Sequence, residues 1–308
     1  RIAVLDTGRP HYESEYRTYY RERFGTTIDR HGRNEETDGR RNSRGMFIDT
    51  GTQRRRGPKN QSVDHPSSNQ SPGPDIDTMI TPFGRLTHPH AGHGLFVSSI
   101  VARYAPTVGV LALATTSDDS IADLFEILVD LETAREEDCR IVNMSLGFYS
   151  EDDACPPSLA HALKQITTDG RLVVASAGNA GRDRPIWPAA HDDVVAVAAT
   201  DDDGLPAEWS NFGPWVTACA HGQDIVSDYV FADWDYPNRT AKRFQGAARW
   251  SGTSFSAPLV AALIARRAMH DDTGPQEAWD ALRQLATQPK DHDGIALDGY
   301  GVLLHHQY

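Results

Sequence analysis

The sequence predicts an α/β fold: a mostly parallel sheet with helices on both faces. Three observations carry this. Short runs that are apolar throughout, such as "VGVLALA" and "VVAVAAT", recur along the chain, and strands without a polar side are those covered on two faces. Segments with apolar residues at helical spacing lie between them. The two kinds alternate, as in βα units.

The elements follow in order. Ile2 to Leu5 is a short apolar strand that delivers Asp6, Thr7 and Gly8 at its carboxyl end. From about 27 to 77 the chain is polar and locally basic (Arg40, Arg41, Arg54, Arg55, Arg56, Lys59). With almost nothing to bury, it is expected as a long loop or disordered insertion. An exposed cleavage or docking segment is the sharper alternative. Order is expected to resume near Met79. "HAGHGLFVSSIVARYA" places Phe96, Val97, Ile100, Val101 and Tyr104 at helical spacing, and Val108 to Ala114 reads as a buried strand. Ser120 begins a helix with Ile121, Leu124, Phe125, Leu128 and Leu131 on one face; Asp123, three residues on, gives a capping-box-like start. "RIVNMSLG" is a strand and "PSLAHALKQITTDG" a helix closed by Gly170. "RLVVASAGN" and "VVAVAAT" are strands; "SAPLVAALIARRAMH" and "PQEAWDALRQLA" are helices. One domain spans 1–308 with the insertion at 27–77. The abrupt opening on a strand leads us to expect residues upstream, a propeptide or fused domain among them.

Composition narrows the function classes. The 308 residues carry a net charge of −13, and 39% are hydrophobic. An acidic chain is not expected to bind nucleic acid, which calls for a basic face. No run approaches the roughly 18 apolar residues of a membrane span. Three cysteines, Cys139, Cys155 and Cys219, show no CxxC spacing and read as small buried or idle thiols. Secreted and intracellular residence both stay open.

Sites in such sheets lie beyond the carboxyl ends of the strands. Asp6, "NMSLG" and "SAGN" end strands; His93 begins a helix in "GHGLFV" and Ser254 another in "GTSFSAP". A serine hydroxyl needs a base, and the base needs a group that fixes its tautomer. Asp6, His93 and Ser254 supply the three residue types. Ser254 at a helix start also faces unpaired amides and the positive end of the helix dipole. Its own N–H and the carboxamide of Asn179 are candidate oxyanion donors.

"AVLDTG", "GHGLFVSSI", "NMSLG", "VVASAGN" and "SGTSFSAP", in that order, resemble the subtilisin-like serine peptidases, the subtilases. The resemblance implies the three-layer subtilisin-like fold and a serine endopeptidase with protein or peptide substrates. It implies Asp6 as the orienting carboxylate, His93 as general base and acid, Ser254 as nucleophile and Asn179 as oxyanion donor. Ser145, Leu146 and Gly147 would form the edge strand that pairs with substrate. Ala177 and Gly178 would line the opposite wall of the primary pocket, with Ile186 at its floor favouring apolar over charged side chains. Leu95, Ser98 and Ser99 depart from the family pattern on the histidine helix, where they bear on packing more than on proton transfer.

Other readings attach to the same residues. His88, His90 and His93 could form a metal cluster, but nothing completes one; no metal is assigned and no cofactor is required for the chemistry. Calcium at Asp201, Asp202 and Asp203 is an alternative to a solvated turn and is not indicated. Ser251 and Ser256 are expected to bond backbone at the helix entry. Trp234, Tyr236 and Phe244 read as loop packing before the nucleophile. Asn238-Arg239-Thr240 is a glycosylation sequon. A binding module without catalysis is disfavoured because all four chemical groups are present. The "GHG" setting of His93 disfavours a glutamate base of the kind the sedolisins use.

Overall fold

The computed structural model describes residues 1–6, 48–49, 89–116, 122–234 and 242–305. Strands β1 (Ile2–Asp6), β2 (Ile48–Asp49), β3 (Val110–Ala114), β4 (Ile141–Met144), β5 (Leu172–Ser176), β6 (Val194–Thr200) and β7 (Ala218–His221) build the sheet with a short β10 (Val302–Leu304). Its order is β10-β7-β6-β5-β4-β1-β3-β2, and every ladder is parallel. Strands β8 (Ile225–Trp234) and β9 (Lys242–Trp250) pair antiparallel in a separate ribbon. The helices are α1 (His93–Tyr104), α2 (Leu124–Glu136), α3 (Pro157–Thr168), α4 (Thr253–Asp271) and α5 (Pro275–Leu285).

Alternation along β1 shows the three layers. Ile2 and Val4 point into one core with residues of α1, α4 and α5. Ala3 and Leu5 point into a second core with residues of α2 and α3. Apart from polar residues at their ends and the buried Asn143 inside β4, the long sheet strands are apolar because both faces are covered. α1 is buried from His93 to Ala102, packed against α4, β8 and the sheet, and α4 lies across β4 to β7. The buried Ser98 and Ser99 of α1 place their hydroxyls where no partner lies among the described residues.

The order reverses at β1: the chain goes to β3 on one side, then crosses to β4 on the other. A reversal of this kind leaves a crevice beyond the strand ends, and Asp6 stands there.

Several expectations change. Ile48–Asp49 falls inside the segment expected as loop, yet forms β2, opposite Val110 and Leu111. The outer edge of β3 offers unpaired backbone groups that a short strand can take up. The rest of the 27–77 insertion, the restart near Met79, Thr7, Gly8, His88, Tyr236 and the sequon lie outside the described residues. In α2 the N-cap is Asp123 itself, whose carboxylate accepts from Phe125 N–H at 2.8 Å. The buried face is Ile127, Asp130, Leu131 and Ala134, with Phe125 67% exposed. Asp130 turns inward because Thr115 Oγ1 donates to its carboxylate at 2.7 Å. α4 starts at Thr253, one residue before Ser254 and three before the run "SAPLVAALIARRAMH". Asp201 Oδ1 accepts from the Asp203 and Leu205 amides, so that oxygen serves an acidic turn. All three cysteines are free thiols. Burial pushes Cys139 up to about 11 and Cys219 up to about 12.

Candidate active site

Asp6 ends β1 and is 2% exposed. Its two carboxylate oxygens lie 2.7 and 2.8 Å from His93 Nδ1. The Thr115 and Thr116 amides hold the Asp6 carbonyl at 2.8 and 3.1 Å, fixing the strand end. A carboxylate only accepts, so Nδ1 is the ring's donor, and in the neutral imidazole Nε2 then keeps its lone pair. His93 is the first residue of α1. Its ring packs edge-on against Trp250 at 5.3 Å and against Phe255 at 5.4 Å. Gly92 just before it lies flat against a buried ring: an added Cβ would come within 2.5 Å of Tyr229 Cε2. The small residue at that position serves packing.

Ser254 is the second residue of α4, where first-turn amides have no helical acceptor. Its hydroxyl donates to the Ser145 carbonyl across a long 3.4 Å. No hydrogen bond joins it to His93 among the described residues, although both line one cleft of about 560 Å³. Catalytic bonds are often loose before substrate arrives. Pro258, inside α4, has no N–H for the Ser254 carbonyl four residues back. Ser145 Oγ supplies the missing donor at 2.8 Å, and itself accepts from Asn143 Nδ2 at 3.0 Å. Ser251 and Ser256 sort out differently. Ser251 Oγ accepts from Asp224 N–H at 2.8 Å; the buried Ser256 donates to the Ala220 carbonyl at 2.9 Å. Both bond backbone, as expected, though of neighbouring segments rather than of α4.

Asn179 is positioned by the entry to α4. Its Oδ1 accepts from Thr253 N–H and from Thr253 Oγ1, each at 2.9 Å. With the oxygen engaged twice, Nδ2 is the donor left for the cleft. Gly252 lies beside this group: a Cβ there would stand 3.6 Å from Nδ2, at ordinary contact distance. Thr253 Oγ1 also accepts from Gly178 N–H at 3.0 Å. Behind the same loop, buried Asn211 Nδ2 donates to the Ala177 carbonyl and to Tyr149 Oη, each at 2.8 Å. Its Oδ1 accepts from Ala180 N–H at 3.0 Å. Asn211 and Asn143 were not singled out from sequence; Thr253, beside the serine, was expected only to shape the approach to it.

The cleft brings together Asp6, His93, Ser254, Asn179, Ser145, Leu146, Gly147, Gly178 and Ile186. Two expectations are corrected. Ala177 does not line it: the side chain is fully buried with Ala198, Val216, Cys219 and Leu303, because Asn211 holds its carbonyl and Gly178 makes the turn at φ +95°. Ser145–Gly147 is not a strand. It continues beyond the end of β4 without a ladder partner until Phe148 bridges Trp187. Of the three histidines weighed as a metal cluster, His93 bonds Asp6 and His90 stacks on Trp250 at 5.2 Å. Among the described residues no group of three or more His, Cys, Asp or Glu is placed to hold a metal, and no helix is long and apolar enough to cross a membrane.

A serine on a helix start, a histidine tied to a buried carboxylate and a carboxamide across the cleft are the parts of a serine-based acyl-transfer site. The chain belongs to the subtilase family, whose family model it matches over residues 1–301. The thermostable alkaline protease of Halalkalibacterium halodurans is 31% identical over 187 residues, 58% of this chain and 47% of that protein. Subtilisin BL of Lederbergia lenta is 31% identical over 183 residues, 56% of this chain and 62% of that one. The chain spans about half the length of the relatives it matches. Among solved structures, an alanine mutant of the protease domain of PatA superposes with a TM-score of 0.64 at 21% identity, covering 99% of this chain and 92% of that one. A cold-adapted subtilisin-like serine proteinase gives 0.63 at 18% identity, with 99% and 88% covered. At identities this low the likeness is one of fold.

Proposed function

We propose that the protein is a serine endopeptidase acting through Ser254, His93 and Asp6, with Asn179 as an oxyanion donor. The observation that carries this is the pair of contacts from buried Asp6 to His93 Nδ1, at 2.7 and 2.8 Å. They leave Nε2 as a base beside the cleft that holds Ser254. On substrate binding the Ser254 hydroxyl leaves the Ser145 carbonyl and turns to Nε2. His93 takes its proton as Oγ attacks the peptide carbonyl carbon. The oxygen, now anionic, is met by Asn179 Nδ2 and Ser254 N–H. His93 then protonates the leaving amine, and the acyl-enzyme ester on Ser254 is hydrolysed by a water that His93 deprotonates. Asp6 holds the imidazolium throughout. No cofactor is required.

Ser145–Gly147 receives the substrate backbone. The segment runs past its own sheet partners without a ladder of its own, and once the Ser254 hydroxyl leaves the Ser145 carbonyl its backbone can pair with a peptide strand. Ile186 gives the side-chain pocket an apolar floor.

A fluorophosphonate probe tests the reading. The folded wild type is expected to label at one site, and Ser254→Ala not at all. Turnover should fall by about 10⁴–10⁶ in Ser254→Ala and by about 10²–10³ in Asn179→Ala. A folded wild type that neither labels nor cleaves would sink the proposal.

A further inference from the structure

The cleft narrows to a gap between two chain segments that leave β4 and β5. Gly147 stands on one lip and Gly178 on the other. A Cβ placed on Gly147 would come within 2.9 Å of Ile186 Cδ1, and one on Gly178 within 3.1 Å of the same atom. A single methyl group therefore touches both lips at once. Ile186 is 6% exposed, and its backbone is pinned. Trp187 exchanges both backbone bonds with Phe148 at 2.9 Å, and Ala190 N–H donates to the Ile186 carbonyl at 2.8 Å. Trp187 Nε1 also donates to Ser150 Oγ at 3.2 Å. The opposite lip is equally fixed: Gly178 N–H donates to Thr253 Oγ1 at 3.0 Å, and its carbonyl accepts from Asn211 N–H at 2.9 Å. The gap has no room to widen by a small shift of either wall.

A tetrahedral adduct on Ser254 has few directions open to it. Its oxygen points to Asn179, its leaving amine to His93, and its preceding chain runs along Ser145–Gly147. The side chain of the acylated residue is left to enter between Gly147 and Gly178, where Ile186 already stands. We propose that Ile186 is a plug, and that the protein cleaves after residues with small side chains (Gly, Ala or Ser); this rests on the peptidase reading above. Aromatic and branched side chains are excluded by volume. Lysine and arginine are disfavoured as well: among the described residues that line the cleft the sole carboxylate is Asp6, which is committed to His93.

The test is a set of internally quenched peptides that differ only at the residue before the cleaved bond: Gly, Ala, Ser, Leu, Phe, Arg or Glu. Rates are normalised to sites titrated with the fluorophosphonate. The wild type is expected to favour Ala or Ser over Leu and Phe by about 100-fold in kcat/KM, the scale on which a pocket discriminates a few methylenes. Ile186→Ala and Ile186→Gly are expected to raise the Phe-to-Ala ratio by about 10- to 100-fold. A ratio within one protein is unaffected by partial unfolding. A wild type that prefers Leu, Phe or Arg overturns the plug and leaves the peptidase reading intact. An unchanged ratio in both variants likewise overturns the role of Ile186. A wild type that neither labels nor cleaves any peptide removes the peptidase reading and the plug with it.

Discussion

Replacing Thr253 by valine removes one hydroxyl at nearly constant volume. That hydroxyl accepts from Gly178 N–H at 3.0 Å and donates to Asn179 Oδ1 at 2.9 Å. The Thr253 backbone N–H still holds the same Oδ1 at 2.9 Å. Two costs follow, on different links of the chain. For stability, a fully buried site loses one donor–acceptor pair and leaves the Gly178 amide without that partner, which costs about 1–3 kcal/mol. For catalysis, the donor Nδ2 is kept but one of the two bonds that orient it is lost. Deleting such a donor outright costs about 10²–10³ in kcat, so loosening it should cost about 10-fold, in kcat rather than KM. Hydrolysis of a chromogenic peptide by Thr253→Val, Asn179→Ala and the double variant reads this directly. If Thr253 acts through Asn179, the double variant should be no slower than Asn179→Ala by more than about threefold, since residues working as one unit are not additive. A fully additive double variant, or a change in KM alone, would refute the coupling.

Ser145→Ala deprives the Ser254 carbonyl of the donor that Pro258 cannot supply. It is expected to lower unfolding stability by about 1–3 kcal/mol, read from the urea midpoint; an unchanged midpoint would show that the carbonyl finds another partner. The cysteines give a prediction with a sign. The reactive thiol form is the anion, and burial raises Cys139 to about 11 and Cys219 to about 12. Both therefore stay protonated and inert at pH 8. Iodoacetamide on the native protein should add at most to the half-buried Cys155, and to all three after denaturation, as intact mass will show. Native alkylation of Cys219 would contradict this.

The apolar strands were legible because burial on two faces leaves few polar residues to disguise them. β1, β3, β4, β5 and β6 all read this way. The β8–β9 ribbon was not. Its buried residues include Ser227, Asp228 and Tyr229, and a register shift between Asp228 and Phe231 breaks any alternation. β2 and β10, of two and three residues, are too short to show a period. At the site, residues that carry chemistry announced themselves by type and flanking sequence. Those that hold them did not. Asn211 and Asn143 are ordinary asparagines in sequence, and their roles come from carbonyls and hydroxyls that only the fold brings near. The misplaced face of α2 has the same cause: Asp130 is buried against Thr115, a partner fifteen residues away that no helical pattern encodes.

The proline in α4 has one more consequence. The bond from Ser145 Oγ to the Ser254 carbonyl works as an index mark between two parts that could otherwise slide. A helix can slip along its neighbours in steps of one turn, about 5.4 Å, and still bury a similar face. Here any such step would strand the mark. The address of the nucleophile is thus written in the frame of β4.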